Sequence, residues 1–307
     1  MGKERRTTMP QGRHEGFTLI EISIVLVIIG LIVGGVLVGQ DLIRAAGVRA
    51  QISQIEKYQT AVNTFRGKYG ALPGDLNDAT ARQSGFAQRG AGTGQGDGNG
   101  VLEGWCGGGY DLGSFMCGEN TMFWVDLTSA NGLNVNLIDG SFTTATPTDQ
   151  GAWNLCCNGA ETALDLYFPR AAVGGVAHIY VYSANGTNYF GLGALHDVLG
   201  DWGYTGGFLA LTVYQAYNID RKVDDGFPLT GTVIERGVLD PVDYGPWIYG
   251  GLLDAGGGFI YSPDFVAVPP SAVSCIDNGG VVGGLVKYSI SRNTGGVNCV
   301  LSLKANW

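Results

Sequence analysis

A single carboxylate stands at the start of a long apolar run, and this feature limits what the chain can fold into. Eighteen uncharged and mostly apolar residues run from Ile22 to Gly39, and Glu21 directly precedes them. A run of this length can cross a bilayer as one helix. A charged side chain inside a bilayer costs roughly 2.5–3.5 kcal/mol, so an ionisable residue there indicates a function. We therefore expect Glu21 to have a partner that offsets this cost.

A short polar segment with four basic side chains precedes the apolar run. The basic residues are Lys3, Arg5, Arg6 and Arg13. Basic residues before an apolar segment hold that end in the cytoplasm. A secretory signal would be cut at small residues after the apolar run, and Val38-Gly39-Gln40 is a poor site of that kind. From hydropathy alone, an uncleaved signal anchor explains the segment equally well.

The residues at the junction resemble a known processing site. Gly16-Phe17-Thr18-Leu19-Ile20-Glu21, placed after a short basic leader, closely resembles the site found in type IV prepilins and type II secretion pseudopilins. The resemblance implies that a prepilin peptidase cuts between Gly16 and Phe17 and methylates the new amino group of Phe17. It also implies that Glu21 meets this amino group on a neighbouring subunit. An opposite charge would offset the cost of a carboxylate held in apolar surroundings.

The pattern after the apolar run predicts that the helix continues to Tyr69. Ile55, Tyr58, Val62 and Phe65 fall on one face at helical spacing. We expect the first half of this helix, which is apolar all round, to pack against lipid or other subunits. The second half is amphipathic and should pack on the body of its own chain.

These expectations define the domains and the fold class. Residues 1–16 form a cleaved leader, and residues 17–69 form the helix, of which 17–39 are the transmembrane or filament-core half. Residues 70–307 form a globular body with disulfides. The fold class is α+β and type IV pilin-like, with a long N-terminal α-helix packed on a loop-rich body that contains an antiparallel sheet.

Local patterns predict several elements of the body. Asn185-Gly186 lies between two strand-like runs, 177–183 and 187–192, and therefore predicts a hairpin. Helical spacing predicts a helix over 208–222, and two further strands are expected over 231–236 and 280–290. The glycine-rich stretch 85–109 is expected to be a loop.

Six cysteines follow the apolar run, on the side that would face outward. They are Cys106, Cys117, Cys156, Cys157, Cys275 and Cys299. An even number there is consistent with disulfides in an oxidising compartment, whereas zinc is disfavoured because no CxxC pair exists. Cys275 and Cys299 lie apart from the others, and many pilins close a C-terminal loop this way, so we expect these two to pair. The pairing of the other four stays open.

Two stretches concentrate the oxygen ligands that calcium prefers. The candidate ligands are Asp97 and Asn99 in the segment 96–103, and Asp220, Asp224 and Asp225 in the segment 218–228. The first stretch is also explained by a glycine-rich turn, and the second by a solvated helix end. No cofactor is required by the sequence, and calcium is a possible one.

Charge and motifs exclude several function classes. The chain has a net charge of −9, which argues against nucleic-acid binding through phosphate contacts. No nucleophile elbow or phosphate-binding loop accompanies His178 or His196, so we expect ordinary histidines and no enzymatic activity.

The resemblance implies a structural subunit of a type IV pilus-like extracellular filament. Its expected partners are identical subunits, the prepilin peptidase and methyltransferase, and the inner-membrane assembly platform with its ATPase. The chain would lie in the inner membrane before assembly. One alternative is a pseudopilin or minor tip pilin of a type II secretion system, which would end in a periplasmic pseudopilus. An alternative of another class is a membrane-anchored periplasmic binding protein or enzyme.

Overall fold

The structure is a computed structural model, and it describes ten segments of the chain. These segments are 18–90, 94–104, 118–130, 133–143, 164–184, 186–196, 206–235, 274–281, 283–292 and 296–307. The chain divides into two compact units, Met1–Ala45 and Ala46–Trp307. Each unit is described by itself.

The helices and strands lie in an α+β order. The helices are α1 (Leu19–Tyr69), α2 (Asp78–Gln83), α3 (Gly118–Thr128) and α4 (Val213–Val223), with short 3-10 turns at Leu164–Leu166 and Ile290–Arg292. The strands are β1 (Ser129–Ala130), β2 (Leu133–Asn134), β3 (Ala177–Ala184), β4 (Thr187–His196), β5 (Gly206–Phe208), β6 (Leu211–Thr212), β7 (Val233–Glu235), β8 (Ile276–Asp277), β9 (Lys287–Tyr288), β10 (Val297–Cys299) and β11 (Leu301–Lys304).

Helix α1 is 51 residues long and contains no proline. It ends where Gly70 takes a positive φ of 79°, a conformation that glycine adopts without strain. The N–H of Gly70 donates to the carbonyl of Arg66 at 2.8 Å, which satisfies one of the free carbonyls at the helix end. Pro73 follows three residues later and cannot continue a helix.

The second half of α1 buries one stripe of side chains inside the unit 46–307. The buried residues are Val48, Gln51, Ile55, Tyr58, Ala61, Val62 and Phe65. Their spacing of three and four residues places them on one face of the helix. The predicted packing of this half against the body is therefore confirmed.

Two glutamines of α1 hold a loop of the body by its backbone. Gln54 Oε1 accepts from the N–H of Ala172 at 2.9 Å, and Gln54 Nε2 donates to the carbonyl of Arg170 at 2.9 Å. Gln51 Oε1 accepts from the N–H of Val173 at 3.2 Å. These bonds satisfy backbone groups of a segment that lies outside helices and strands.

An antiparallel sheet forms the centre of the body. Its strand order is β3-β4-β11-β7, and β5 pairs with the far end of β4. Strands β3 and β4 form the predicted hairpin, with Ala184 opposite Thr187 and Asn185-Gly186 between them. The predicted α+β fold, a long N-terminal helix with a body that contains an antiparallel sheet, is confirmed.

An aromatic core joins α1, α3 and the sheet. The Tyr58 ring meets the Trp124 ring edge-on at 5.1 Å between centroids, and Phe123 and Phe190 pack beside them. All described residues of α3 are buried, including Asp126. The carboxylate of Asp126 is held by the guanidinium of Arg89 at 2.6 Å, and both side chains are fully buried. A buried charge pair of this kind requires such close geometry.

Two sequence expectations need correction. The helix predicted over 208–222 begins only at Val213, because Thr212 and Gln215 form a capping box that fixes its start. The strand predicted over 280–290 is wrong for most of its length, since among the described residues of this range only Lys287–Tyr288 is a strand. Gly279 and Gly280 take positive φ values of 70° and 76° and form a turn instead.

Candidate assembly segment and acidic clusters

The first half of α1 exposes apolar side chains on every face. All side chains from 18 to 38 are exposed, and Leu19 and Leu31 expose 88% and 73% of their surface. An apolar surface of this extent marks a site for lipid or for other protein surfaces. Among the described residues, α1 is the one helix long and apolar enough to cross a membrane. A signal sequence would pass the same test, so hydropathy alone leaves the anchor interpretation open.

Glu21 has a close contact within its own chain. Its Oε2 accepts from the backbone N–H and from the hydroxyl of Thr18, each at 2.8 Å. The N–H of Glu21 in turn donates to Thr18 Oγ1 at 3.4 Å. This reciprocal arrangement is a capping box, which satisfies free N–H groups at a helix start. Sequence reasoning missed Thr18, although the spacing Thr18-Leu19-Ile20-Glu21 is the signal for such a box.

The predicted processing residues, Gly16 and Phe17, lie outside the described residues. They fall inside residues 12–37, which match the family model of the prokaryotic N-terminal methylation motif. This motif is the signature of type IV pilins and pseudopilins. The chain carries this shared signature. No curated protein and no solved structure matches the chain.

The motif supports the coarser class of a type IV pilin-like or pseudopilin subunit. It implies processing by prepilin peptidase and assembly into pilus-like filaments. The apolar first half of α1 fits membrane anchoring before assembly. Pilins and pseudopilins share the motif, so the choice between a surface pilus and a secretion pseudopilus rests on other observations.

The body of this pilin-like chain gathers three carboxylates that we name the loop cluster. They are Asp75 after α1, Asp97 in the glycine-rich loop and Glu119 in the first turn of α3, and one oxygen of each lies within 4.8 Å of the others. Asp75 and Glu119 are buried, whereas Asp97 is exposed. The structure thus adds two acidic residues to Asp97, which sequence reasoning had considered with Asn99.

The buried carboxylates of the loop cluster hold the glycine-rich loop by its backbone. Asp75 accepts from the N–H groups of Gly98 and Gly100, each at 2.8 Å. Glu119 accepts from the N–H of Gly96 at 2.8 Å. Each hydrogen bond that a backbone N–H donates to these oxygens stabilises the ionised form of the carboxyl group.

Burial disfavours the ionised forms of Asp75 and Glu119, and it affects their pKa values more than these hydrogen bonds do. Burial raises the pKa of Asp75 to about 6. Burial, and after it the charge of Asp75, raises the pKa of Glu119 to about 8. At neutral pH, Glu119 therefore keeps its proton in most molecules. A divalent cation bound between these groups would favour their ionised forms instead.

Asn99 uses its side chain inside the loop. Its amide nitrogen donates to Asp97 Oδ2 at 3.1 Å, and its Oδ1 accepts from the N–H of Val101 at 2.7 Å. The backbone N–H of Asn99 also donates to Asp97 Oδ1 at 3.0 Å. These contacts are those of an Asx-type turn, so Asn99 shapes the loop next to the cluster.

A second group, which we name the turn cluster, lies where α4 ends. It consists of Asp220, Asp224 and Asp225, which again offer one oxygen each within 4.8 Å of the others. Asp220 is buried, and it accepts from the N–H of Gly226 at 3.0 Å and from the hydroxyl of Tyr288 at 2.8 Å. Burial raises the pKa of Asp220 to about 6.

The other two aspartates of the turn cluster bind the chain that leads into β7. Asp224 accepts from the N–H of Val233 at 3.2 Å, and Asp225 accepts from the hydroxyl of Thr230 at 2.6 Å. In the part of the chain that the structure describes, no Lys or Arg forms an ion pair with a carboxylate of either cluster. Both clusters offer the hard oxygen ligands of a calcium site, and calcium binding stays a prediction.

Other candidate residues of the sequence take structural places or lie outside the described residues. A disulfide joins Cys275 to Cys299, with 5.1 Å between their Cα atoms. The remaining cysteines, Cys106, Cys117, Cys156 and Cys157, lie outside the described residues. His178 is buried, with Nε2 at 3.0 Å from Asp165 and Nδ1 at 3.1 Å from the carbonyl of Val176. His196 lies in β4, paired by its backbone with Gly206.

Proposed function

We propose that this chain is the structural subunit of an extracellular, type IV pilus-like filament. The methylation motif at residues 12–37 carries the proposal, because it belongs to proteins that are processed and then assembled through their N-terminal helices. The exposed apolar half of α1 supports it, since such a surface needs lipid before assembly and other subunits afterwards. In this proposal the chain has no enzymatic activity and binds no nucleic acid.

Processing by the prepilin peptidase frees the amino group of Phe17, which then carries one methyl group and a positive charge. Glu21 follows four residues later, close to one turn of helix. Within its own chain Glu21 has the hydroxyl of Thr18 as a neutral partner. We propose that the amino group of Phe17 on a neighbouring subunit is its charged partner in the filament. A carboxylate that is paired with a positive charge costs less free energy to place in apolar surroundings than an unpaired carboxylate does.

The assembly route follows from the same helix. The apolar half of α1 holds the processed subunit in the inner membrane until an assembly platform with its ATPase extracts it. A second candidate, a pseudopilin or minor tip pilin of a type II secretion system, shares the motif and the processing. The two candidates differ in abundance, since a major subunit makes up most of a filament and a minor one does not.

Shearing of surface filaments from cells tests the proposal. We expect the sheared fraction to contain this chain as its main protein, and deletion of its gene to abolish the filaments. If the chain is instead a trace component, or is confined to the periplasm, it is a minor pilin or a pseudopilin. Full-length chain found only as a membrane-anchored monomer would contradict both candidates.

The charge on Glu21 is tested by Glu21→Gln. This variant keeps an oxygen that can accept from Thr18, but it leaves the amino group of Phe17 without an ionic partner. We expect the filament yield to fall by roughly tenfold or more, since about 1.4 kcal/mol per subunit already corresponds to that factor. Asp41→Asn, which removes an exposed carboxylate from the same helix, is the matched control and should assemble normally.

A further inference from the structure

A polar stripe runs along the outward face of α1 in the unit 46–307. Its members are all exposed and follow one another at alternating spacings of four and three residues, which keeps them on one face of a helix. They are Arg49, Ser53, Glu56, Thr60, Asn63 and Gly67. Between and beyond the two charged residues the side chains are small, so another helix could approach this face closely.

The two charges of the stripe have no ionic partner in the described part of the chain. Asp41 pairs with Arg44 in α1, and Lys57 pairs with Asp139 in the body. Neither Arg49 nor Glu56 takes part in any such pair among the described residues. Glu56 is also the only acidic residue of α1 after Asp41.

The spacing of the two charges makes the stripe complementary to itself. Arg49 and Glu56 are seven residues apart, which is nearly two turns, so they differ by about 20° around the helix and about 10.5 Å along it. A second α1 that lies parallel and is shifted by that distance would bring its Glu56 level with Arg49 of the first. The same shift repeated from copy to copy is a head-to-tail contact, which generates an open helical assembly.

We propose that this stripe is a contact surface for a second copy of the chain, in which Arg49 of one subunit pairs with Glu56 of the next. The inference rests on the proposed filament function. It adds a specific contact outside the apolar segment, and one that sets how far neighbouring subunits are shifted. The apolar side chains of α1 offer contact area without fixing such a shift, whereas a charge pair, here as at Glu21, favours one register over others.

Charge reversal tests the pairing. Arg49→Glu and Glu56→Arg each replace an attraction by a repulsion at every subunit contact. We expect each single variant to lower the yield of sheared filaments by about fivefold or more, the factor that a change of 1–2 kcal/mol produces. The double variant, Arg49→Glu with Glu56→Arg, restores an attractive pair with reversed polarity and should recover most of the wild-type yield.

The matched control reverses a charge that the proposal does not pair. Arg66 is exposed on α1 and lies ten residues after Glu56, about 80° away around the helix. Combining Arg66→Glu with Glu56→Arg gives the same formal charges as the double variant but should not restore the yield. Thermal unfolding of each variant in detergent shows whether the body remains folded, so that loss of filaments is not confused with loss of the fold.

The outcomes separate this inference from the proposed function. Normal filaments from both single variants, or a double variant no better than the singles, would overturn the pairing while leaving the filament function standing. Absence of filaments from the wild-type chain would instead refute the proposed function. A reconstruction of the wild-type filament offers an independent measurement: the guanidinium of Arg49 should lie within about 4 Å of the Glu56 carboxylate of a neighbour. A clearly larger separation at every subunit contact would also overturn the pairing.

Discussion

In the first half of α1 the apolar side chains face outward on all sides, whereas in the second half they form one buried stripe. Ile28 is half exposed in the first half, and Phe65 is fully buried in the second. Both halves belong to one helix, yet no described residue of its compact unit covers the first half. Helix formation in α1 therefore does not depend on burial of its side chains. The second half contributes to the stability of the body, and the first half is available for assembly.

Truncation of one apolar side chain in each half should have the most unequal effects. Phe65→Ala removes a fully buried ring and should lower the free energy of unfolding of the body by about 3–5 kcal/mol. Ile28→Ala truncates a half-exposed side chain that does not belong to the unit 46–307, so it should change that free energy by less than about 0.5 kcal/mol. Denaturant unfolding in detergent, followed by tryptophan fluorescence, measures both. Equal losses of unfolding free energy in the two variants would contradict the difference in side-chain burial between the two halves of α1.

The body should also respond to pH through its buried carboxylates. The folded-state pKa of Glu119 is about 8, well above its ordinary value of 4.5. Between pH 4.5 and pH 8 the folded state therefore binds more protons than the unfolded state. Stability is therefore greatest in mild acid and falls as pH rises towards 8, by an amount on the order of 2 kcal/mol. Thermal midpoints between pH 5 and 8.5 measure this slope.

Glu119→Gln should reduce that slope, because the group that titrates in this range is gone. Glu56→Gln removes an exposed carboxylate of α1 and serves as the control, with the slope unchanged. If both variants retain the wild-type slope, the pH dependence comes from other groups and Glu119 is not the cause.

Calcium should stabilise the body more at pH 8 than at pH 6. The cation competes with protons for Asp75, Glu119 and Asp220, and a larger fraction of these carboxyl groups is protonated at the lower pH. Calcium at ten times its dissociation constant would add about 1.4 kcal/mol, or roughly 3 °C in the thermal midpoint.

Matched variants separate the two acidic clusters. Asp97→Asn should reduce the calcium shift if the loop cluster binds the ion, and Asp224→Asn should reduce it if the turn cluster does. A thermal midpoint that neither calcium nor a chelator changes would contradict the calcium prediction for both clusters.

The smallest effect is expected at the start of α1. Thr18→Ala removes the hydroxyl of the capping box and should cost about 1 kcal/mol of helix stability near that end. The charge of Glu21 remains, so filament yield should stay near that of the wild type. Comparison with Glu21→Gln thus separates the helix cap from the charge. A loss of filaments in Thr18→Ala as large as in Glu21→Gln would assign the role of Glu21 to the cap.

Local signals in the sequence predicted those parts of the fold that local physics decides. The spacing of Ile55, Tyr58, Val62 and Phe65 predicted which face of α1 is buried, and Asn185-Gly186 predicted the hairpin, because periodicity and turn chemistry act over a few residues. The prediction of a strand over 280–290 was wrong because two local signals conflict there. Its apolar residues favoured a strand, but the glycines before and among them favour turns.

The candidate sites were less predictable, since their residues meet only after folding. Asp75 and Glu119 come from segments more than forty positions apart, and nothing near either one predicts the other. The turn cluster is an exception, because its three aspartates lie within six positions. The partner proposed for Glu21 lies on another copy of the chain, and only the resemblance of the junction residues to a processing site suggested it.

The mass of the N-terminal peptide of the chain, taken from a sheared filament fraction, tests the central claim most directly. We expect a peptide that begins at Phe17 and carries one methyl group on its amino nitrogen. We also expect this peptide to represent nearly all of the chain in the fraction. A filament-borne chain that still begins at Met1, or that is cut after Gly39, would contradict the assignment of α1 as a processed assembly segment.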